Sequence, residues 1–479
     1  MSIHKNGYRW IATQAEIASR YDDIFFISPD VGWAINSNGR ILKTVNGGRF
    51  WDQQFHDPNV YFRCISMVNE QVGWAGCTTP GRQLFHTNDG GDHWEQVANL
   101  PTANERRVDA PSAVCGLWAL DEQRVFASGT NYPERPARFL KTEDGGKTWY
   151  VRDMEDVATL LVDIYFQTEN VGWVVGGRAT KPNPRRTDVV PTVLKTENGG
   201  ETWRDMLSEN VNAPLGEWGW KIQFLKGGFG VVACENFKAG AILITENGGN
   251  SWRRQEIRDS QGKMINENLE GIGFLDRQTG WVGGWGDKVF SSGRTSRTTD
   301  GGRTWTDLTP TWPRPVKGFD DPCPPYEKGG QYINRFRFVG DVAYASGNTV
   351  YKYTNQRIHE PTEVEISSSR LLNSVDSLLC TDQVDIPIVV SSQTRSLSVI
   401  LYDRFAGKVR TLIEETNPVA GRRLLNWDLK DDNGEKLTPG QFMVRVNCDD
   451  VSESRLIFHI RTGDKTFMAK ETPHLLRED

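Results

Sequence analysis

Five acids and a set of basic and aromatic residues are the parts of this 479-residue chain best suited by type and position to chemistry. Asp22, Asp23, Asp163, Glu217 and Glu270 stand near the starts of apolar, strand-like runs. Two such carboxyl groups held about 5 to 10 Å apart would support glycoside hydrolysis, but none of the five sits in a recognisable catalytic motif. Arg178, Lys181, Arg185 and Arg186 crowd one segment, and Arg106 and Arg107 another. Clustered cations of this kind hold a carboxylate, a phosphate or an acidic protein segment by charge-assisted bonds. Trp218, Trp220, Trp285, Trp312 and Tyr326 add aromatic surface suited to protein hot spots or to stacking on sugar rings. A solvated loop and a buried core are the competing readings of the same residues.

The elements that must position these groups are written as a repeat. Six eight-residue boxes recur: Thr44–Trp51, Thr87–Trp94, Thr142–Trp149, Thr196–Trp203, Thr245–Trp252 and Thr298–Trp305. Their spacing matches a four-stranded propeller blade and exceeds that of leucine-rich or ankyrin repeats. Within each box, Asn or Asp (Asn46, Asp89, Asp144, Asn198, Asn247, Asp300) precedes two glycines, the chemistry of a tight turn with positive φ, and the Trp packs the following strand. These six residues are therefore expected to be structural. A Gly-Trp element recurs at Trp33, Trp74, Trp173 and Trp281, in relaxed form at Val125-Phe126-Ala127 and Phe229-Gly230-Val231, and is read as core between blades.

A seventh unit starts at Arg335 and supplies three strands but no box. The segment Gly7–Ala12 carries a Trp placed as if it followed a box, so it is expected to complete the last sheet and close the ring. The loops joining a fourth strand to the next first strand, and a second to a third, then share the face opposite the boxes. All the long connections fall in these two classes: Asn99–Ala113, Thr130–Ala137, Arg178–Pro191, Leu207–Gly219, Asp259–Glu270, Asp287–Thr295 and Thr309–Asn334. That face is the expected binding surface.

Composition narrows the class. Forty-seven glycines and 37% apolar residues favour β architecture, and a net charge of −6 with mixed signs argues against nucleic acid as a partner. The seven cysteines are scattered without CxxC spacing, and the histidines show no ligand spacing, so neither a metal nor a cofactor is expected. His86 and His93, which flank one box, are read as surface residues. No signal peptide or stretch of about 18 apolar residues is present, so a cytoplasmic location, free or peripheral to a membrane complex, is expected.

The six boxes and the Gly-Trp elements resemble those of the photosystem II stability and assembly factor family, whose propellers share the Asp-box turn with sialidases. The resemblance covers roughly residues 7–356. It implies a seven-bladed propeller and, as function, a non-enzymatic scaffold or assembly factor that binds a protein partner. The alternative is a carbohydrate-active protein, a lectin or a sialidase-like hydrolase, although the usual Arg-Ile-Pro entry motif is missing from the first blade.

After His359 the boxes stop and alternating strands begin. Tyr402-Asp403-Arg404, Gly407–Leu412, Trp427-Asp428, Asp432-Asn433-Gly434 and Pro439–Phe442 resemble the Ig-like domain of the flagellar hook-cap protein family, which implies a docking module. Asp432-Asn433-Gly434 reads as a type I′ hairpin and not as a calcium loop. The expected organisation is an all-β chain: propeller 1–358, Ig-like β-sandwich 359–461 and a charged tail 462–479.

Overall fold

A computed structural model describes residues 7–355 except 14, 17, 19, 50, 103–107, 208–210, 237–238, 267, 286–292, 314–331 and 341; of the C-terminal region it describes 364–366, 379–380 and 383–459 except 391–393, 404–406, 420, 439 and 450. Seven four-stranded antiparallel sheets follow one another along the described chain. Their innermost strands are Tyr21–Phe26, Phe62–Met67, Gly116–Ala119, Leu160–Phe166, Trp218–Phe224, Asn268–Phe274 and Arg335–Val339. Each packs beside the next, and the last returns to the first, so the sheets form a closed ring. Three strands of the last sheet come from Arg335–Thr354 and its outermost strand from Arg9–Ala12, in the register Trp10 to Tyr353.

Inner strands are largely buried on both faces because each sheet is covered by a neighbour on either side. The second strand is fully buried in Gly32–Asn36, Gly73–Cys77 and Val125–Gly129, whereas the outer strands Asp52–His56 and Arg253–Glu256 are polar and partly exposed. The Gly-Trp element follows from a size match. A Cβ on Gly32, Gly172, Gly230 or Gly280 would lie 2.3 to 2.7 Å from the ring of Phe26, Phe166, Phe224 or Phe274, its partner on the first strand. In the third sheet the same pair is Ala119 and Val125: the large residue has moved across the strand, and the Gly-Trp signature relaxes with it. Trp33, Trp74, Trp173 and Trp281 are all buried between sheets.

All six boxes make the same bonds from the threonine hydroxyl, and the five from Thr87 onward share a third to the Asn or Asp side chain. In Thr142–Trp149, the Thr142 hydroxyl donates to Asp144 Oδ1 (2.8 Å) and accepts the N–H of Gly146 (2.9 Å), while Asp144 Oδ1 accepts the N–H of Thr148 (2.9 Å). Gly145 and Gly146 take φ of 72° and 86°, which explains the paired glycines. The Thr148 hydroxyl and N–H draw the Asp144 carboxyl down to about 2. A lysine before the box threonine reaches the next sheet: Lys43 Nζ donates to Gly90 O (2.9 Å), joined there by Trp33 Nε1 (3.3 Å).

The C-terminal strands form a three-stranded and a five-stranded sheet around Ile386, Ile388, Leu397, Val399, Leu401, Trp427, Val444 and Val446. The Asp432-Asn433-Gly434 turn departs from the type I′ expectation. Only Gly434 has positive φ (81°), and Asp431 Oδ1 accepts the N–H groups of Asn433 and Glu435, so one left-handed residue suffices. Residues 462–479 lie outside the described part.

Candidate functional site

Two layers of side chains meet at the ring's centre, and the repeat fixes both. The first strands carry a register shift near their starts, between Tyr21 and Asp23, Phe62 and Cys64, Leu161 and Asp163, Gly219 and Lys221, and Leu269 and Gly271. Such bulges re-aim a side chain, here Asp22, Arg63, Val162, Trp220 and Glu270. The next position around the ring holds Asp23, Cys64, Gly116, Asp163, Lys221, Gly271 and Arg335.

The five acids singled out by sequence are all buried, and all are paired with guanidinium groups. Asp22 binds Arg20 (2.5 Å) and Arg63 (2.6 Å); Glu270 also binds Arg20 (2.5 Å). Arg335 reaches Asp23 in the first sheet (2.8 Å) and Asp163 in the fourth (2.8 Å), crossing the ring at that level. Glu217 takes two bonds from Arg254 (2.8 and 2.7 Å). Burial would raise the carboxyls of Asp22 and Asp163, but Arg20 and Arg63 for the first, and Arg335 with Lys221 for the second, hold them below the carboxylate range. A carboxylate so clamped is a weak proton donor and a blocked nucleophile. Glu235 differs: burial, then the charge of Glu270, pushes it well above the carboxylate range.

The described basic residues build a ledge at the end of the fourth sheet opposite its box turn. Arg178 lies one residue before the end of the strand Gly172–Ala179, and the loop after it is closed on itself: Lys181 pairs with Asp188 (2.9 Å), and the Arg185 N–H donates to Asp188 Oδ2 (3.0 Å). Arg185 stays exposed. Arg186 is fixed by Nη2 donating to Asn131 O (3.2 Å) and lies over the rings of Tyr132 (5.1 Å) and Trp218 (5.6 Å). Arg135 stacks on the same Tyr132 (5.5 Å). Tyr132 is 41% exposed, and Leu215, on a loop tied to Val189 by the Gly216 N–H to Val189 O bond (2.9 Å), is 54% exposed.

Sequence reasoning chose some of these residues wrongly. Trp218 is 0% exposed and Trp312 6%; the first lies under Arg186 and the second packs on Trp10 and Tyr351, so neither offers contact surface. Trp220 is likewise buried, under Arg63 (4.6 Å). Trp285 ends the strand Gly280–Trp285, and Arg106, Arg107 and Tyr326 lie outside the described residues. His86 is half-buried against Trp74 (4.5 Å) and not a plain surface residue. Tyr132, Arg135, Leu215 and Glu235 were missed. Aligning the first strands on Ile24, Ile65, Leu117, Ile164, Ile222, Ile272 and Phe336 finds the inner ring, but nothing local marks Tyr132 as the arginines' partner. Among the described residues no group of His, Cys, Asp or Glu could hold a metal ion, and no helix is long and apolar enough to cross a membrane.

Comparison with known proteins agrees with this architecture. Residues 4–106 match the family described as photosynthesis system II assembly factor YCF48. The chain is 24% identical over 282 residues to the photosystem II assembly lipoprotein Ycf48 of Synechococcus sp. (strain CC9902), covering 53% of this chain and 80% of that one. It is 23% identical over 320 residues to the chloroplastic photosystem II stability/assembly factor HCF136 of Oryza sativa subsp. japonica, covering 59% of this chain and 69% of the relative. A solved structure of YCF48 bound to D1 peptide superposes with a TM-score of 0.49 at 15% identity, over 73% of this chain and 98% of that one. The chain thus carries a β-propeller that is similar to the photosystem II assembly factors.

Proposed function

We propose that the protein is a non-enzymatic assembly or structural subunit that binds a protein partner, in a membrane-associated complex, through the face opposite the boxes. The observation that carries this reading is the pair of guanidiniums, Arg135 and Arg186, over the exposed ring of Tyr132. An exposed aromatic with two guanidiniums on its ring has the composition of a protein hot spot, and its arginines would bind acidic segments of a partner. The relatives' names, both photosystem II assembly factors, support the same class of function. Domain bounds of 1–358 and 359–461, and an Ig-like docking role for the second part, belong to the same proposal.

The test is purification of the tagged full-length chain from its native host, beside an Arg185→Glu, Arg186→Glu variant. A partner held by the wild type should be lost from the variant while its thermal midpoint is kept. Undiminished retention, or glycosidase turnover abolished by Glu270→Gln, would overturn the reading.

A further inference from the structure

Arg186 joins the ledge to a buried acid. Its guanidinium lies over Trp218, and Trp218 is the cross-strand register partner of Glu235 at the end of the strand Gly230–Glu235. Glu235 is 2% exposed, and its Oε2 has no hydrogen-bond partner among the described residues. The charges that act on it most strongly are those of Glu270 of the sixth sheet, Arg186 of the ledge, Arg20 from the segment before the first sheet, and Arg63 of the second. Arg20 is committed to Asp22 and Glu270, and Arg63 to Asp22. Arg186 alone of the three makes no ion pair among the described residues, and its Nη2 donates to the neutral carbonyl of Asn131.

We propose that Glu235 is a proton-operated brake on the ledge: neutral, it leaves the charge of Arg186 to an acidic segment of the partner, and ionised, it draws that charge inward and weakens binding. The proposal rests on the ledge being the binding surface. Burial and the neighbouring Glu270 hold the Glu235 proton into the neutral range, so the change falls at pH values a cell reaches. Linkage is reciprocal: an anion on Arg186 must favour the protonated form of Glu235 to the extent that protonation favours the anion.

Two measurements on the full chain separate the parts. Carboxyl-carbon NMR of glutamate-labelled protein, assigned with Glu235→Gln, gives the Glu235 midpoint. Arg186→Gln should raise it by roughly 0.5 to 1 unit, and Arg186→Lys should leave it near the wild-type value. An unmoved midpoint in Arg186→Gln overturns the proposal. Binding of an oligoglutamate peptide should weaken up to about tenfold as the pH rises through the Glu235 midpoint, and in Glu235→Gln it should be flat. A pH dependence that survives Glu235→Gln also overturns the proposal. If the peptide binds neither protein while Arg186→Gln still shifts the midpoint, the ledge reading fails and the coupling of the two residues stands.

Discussion

Trp10 and Tyr353 face each other across the strand pair that closes the ring, with ring centroids 5.2 Å apart and more than three hundred residues of chain between them. Trp10 also touches Trp281 (5.8 Å), Trp312 (5.0 Å) and Phe336 (5.6 Å), so one side chain ties the amino-terminal strand to two sheets. Trp10→Ala should cost about 3–5 kcal/mol in urea unfolding. A variant within about 1 kcal/mol of wild type would mean that the strand does not carry closure.

The exchange of bulk between first and second strands gives a compensation test. Gly172→Val places a side chain where Cβ alone lies 2.7 Å from the Phe166 ring and should cost roughly 1–3 kcal/mol. Combined with Phe166→Ala, which reproduces the small-large pair of Ala119 and Val125, the double variant should be more stable than the sum of the singles predicts. Strict additivity would refute the size match.

Arg335 bonds an acid of the first sheet and an acid of the fourth across the ring. Arg335→Met leaves Asp23 and Asp163 buried without its charge, and a loss of about 3–5 kcal/mol is expected, partly recovered by adding Asp163→Asn. No recovery in the double variant would show that the methionine fails by shape and not by charge.

Two opposed pH dependences follow from the buried acids. Asp22 and Asp163 have values lowered from 3.8 in the folded chain, so they bind fewer protons there than when unfolded; their contribution is present above that value and lost as the pH falls through the lowered ones. Glu235 is raised from 4.5 to about 8, so its contribution is full below the first value and is lost as the pH rises toward the second. Urea unfolding across pH should therefore decline at both ends, and Glu235→Gln should flatten the alkaline side only. An unchanged alkaline decline would assign it to another group.

The fold was legible because its rules are local. Thr142, Asp144, Gly145 and Gly146 satisfy one another within a single turn, and Gly172 answers to Phe166 one hairpin away, so six copies of such sentences fix the blades. The closing strand was legible from the same grammar, since Trp10 is a box tryptophan without its box. The site was legible only in part. Arg186 and Arg185 could be listed, but their exposed neighbour Tyr132 comes from another sheet, and Trp218 looks no different in sequence whether it lies above or below a guanidinium. The pairing of the acids was hidden for the same reason: Arg335 lies 172 residues from Asp163, beyond any motif.

Photo-crosslinking tests the central claim most directly. A crosslinking residue at Tyr132, on the ledge, should capture the native partner, and one at Val45, exposed in a box turn on the other face, should not. The Tyr132 adduct should disappear in an Arg185→Glu, Arg186→Glu background. Capture at Val45 in preference to Tyr132, or an adduct indifferent to the charge reversal, would contradict the account.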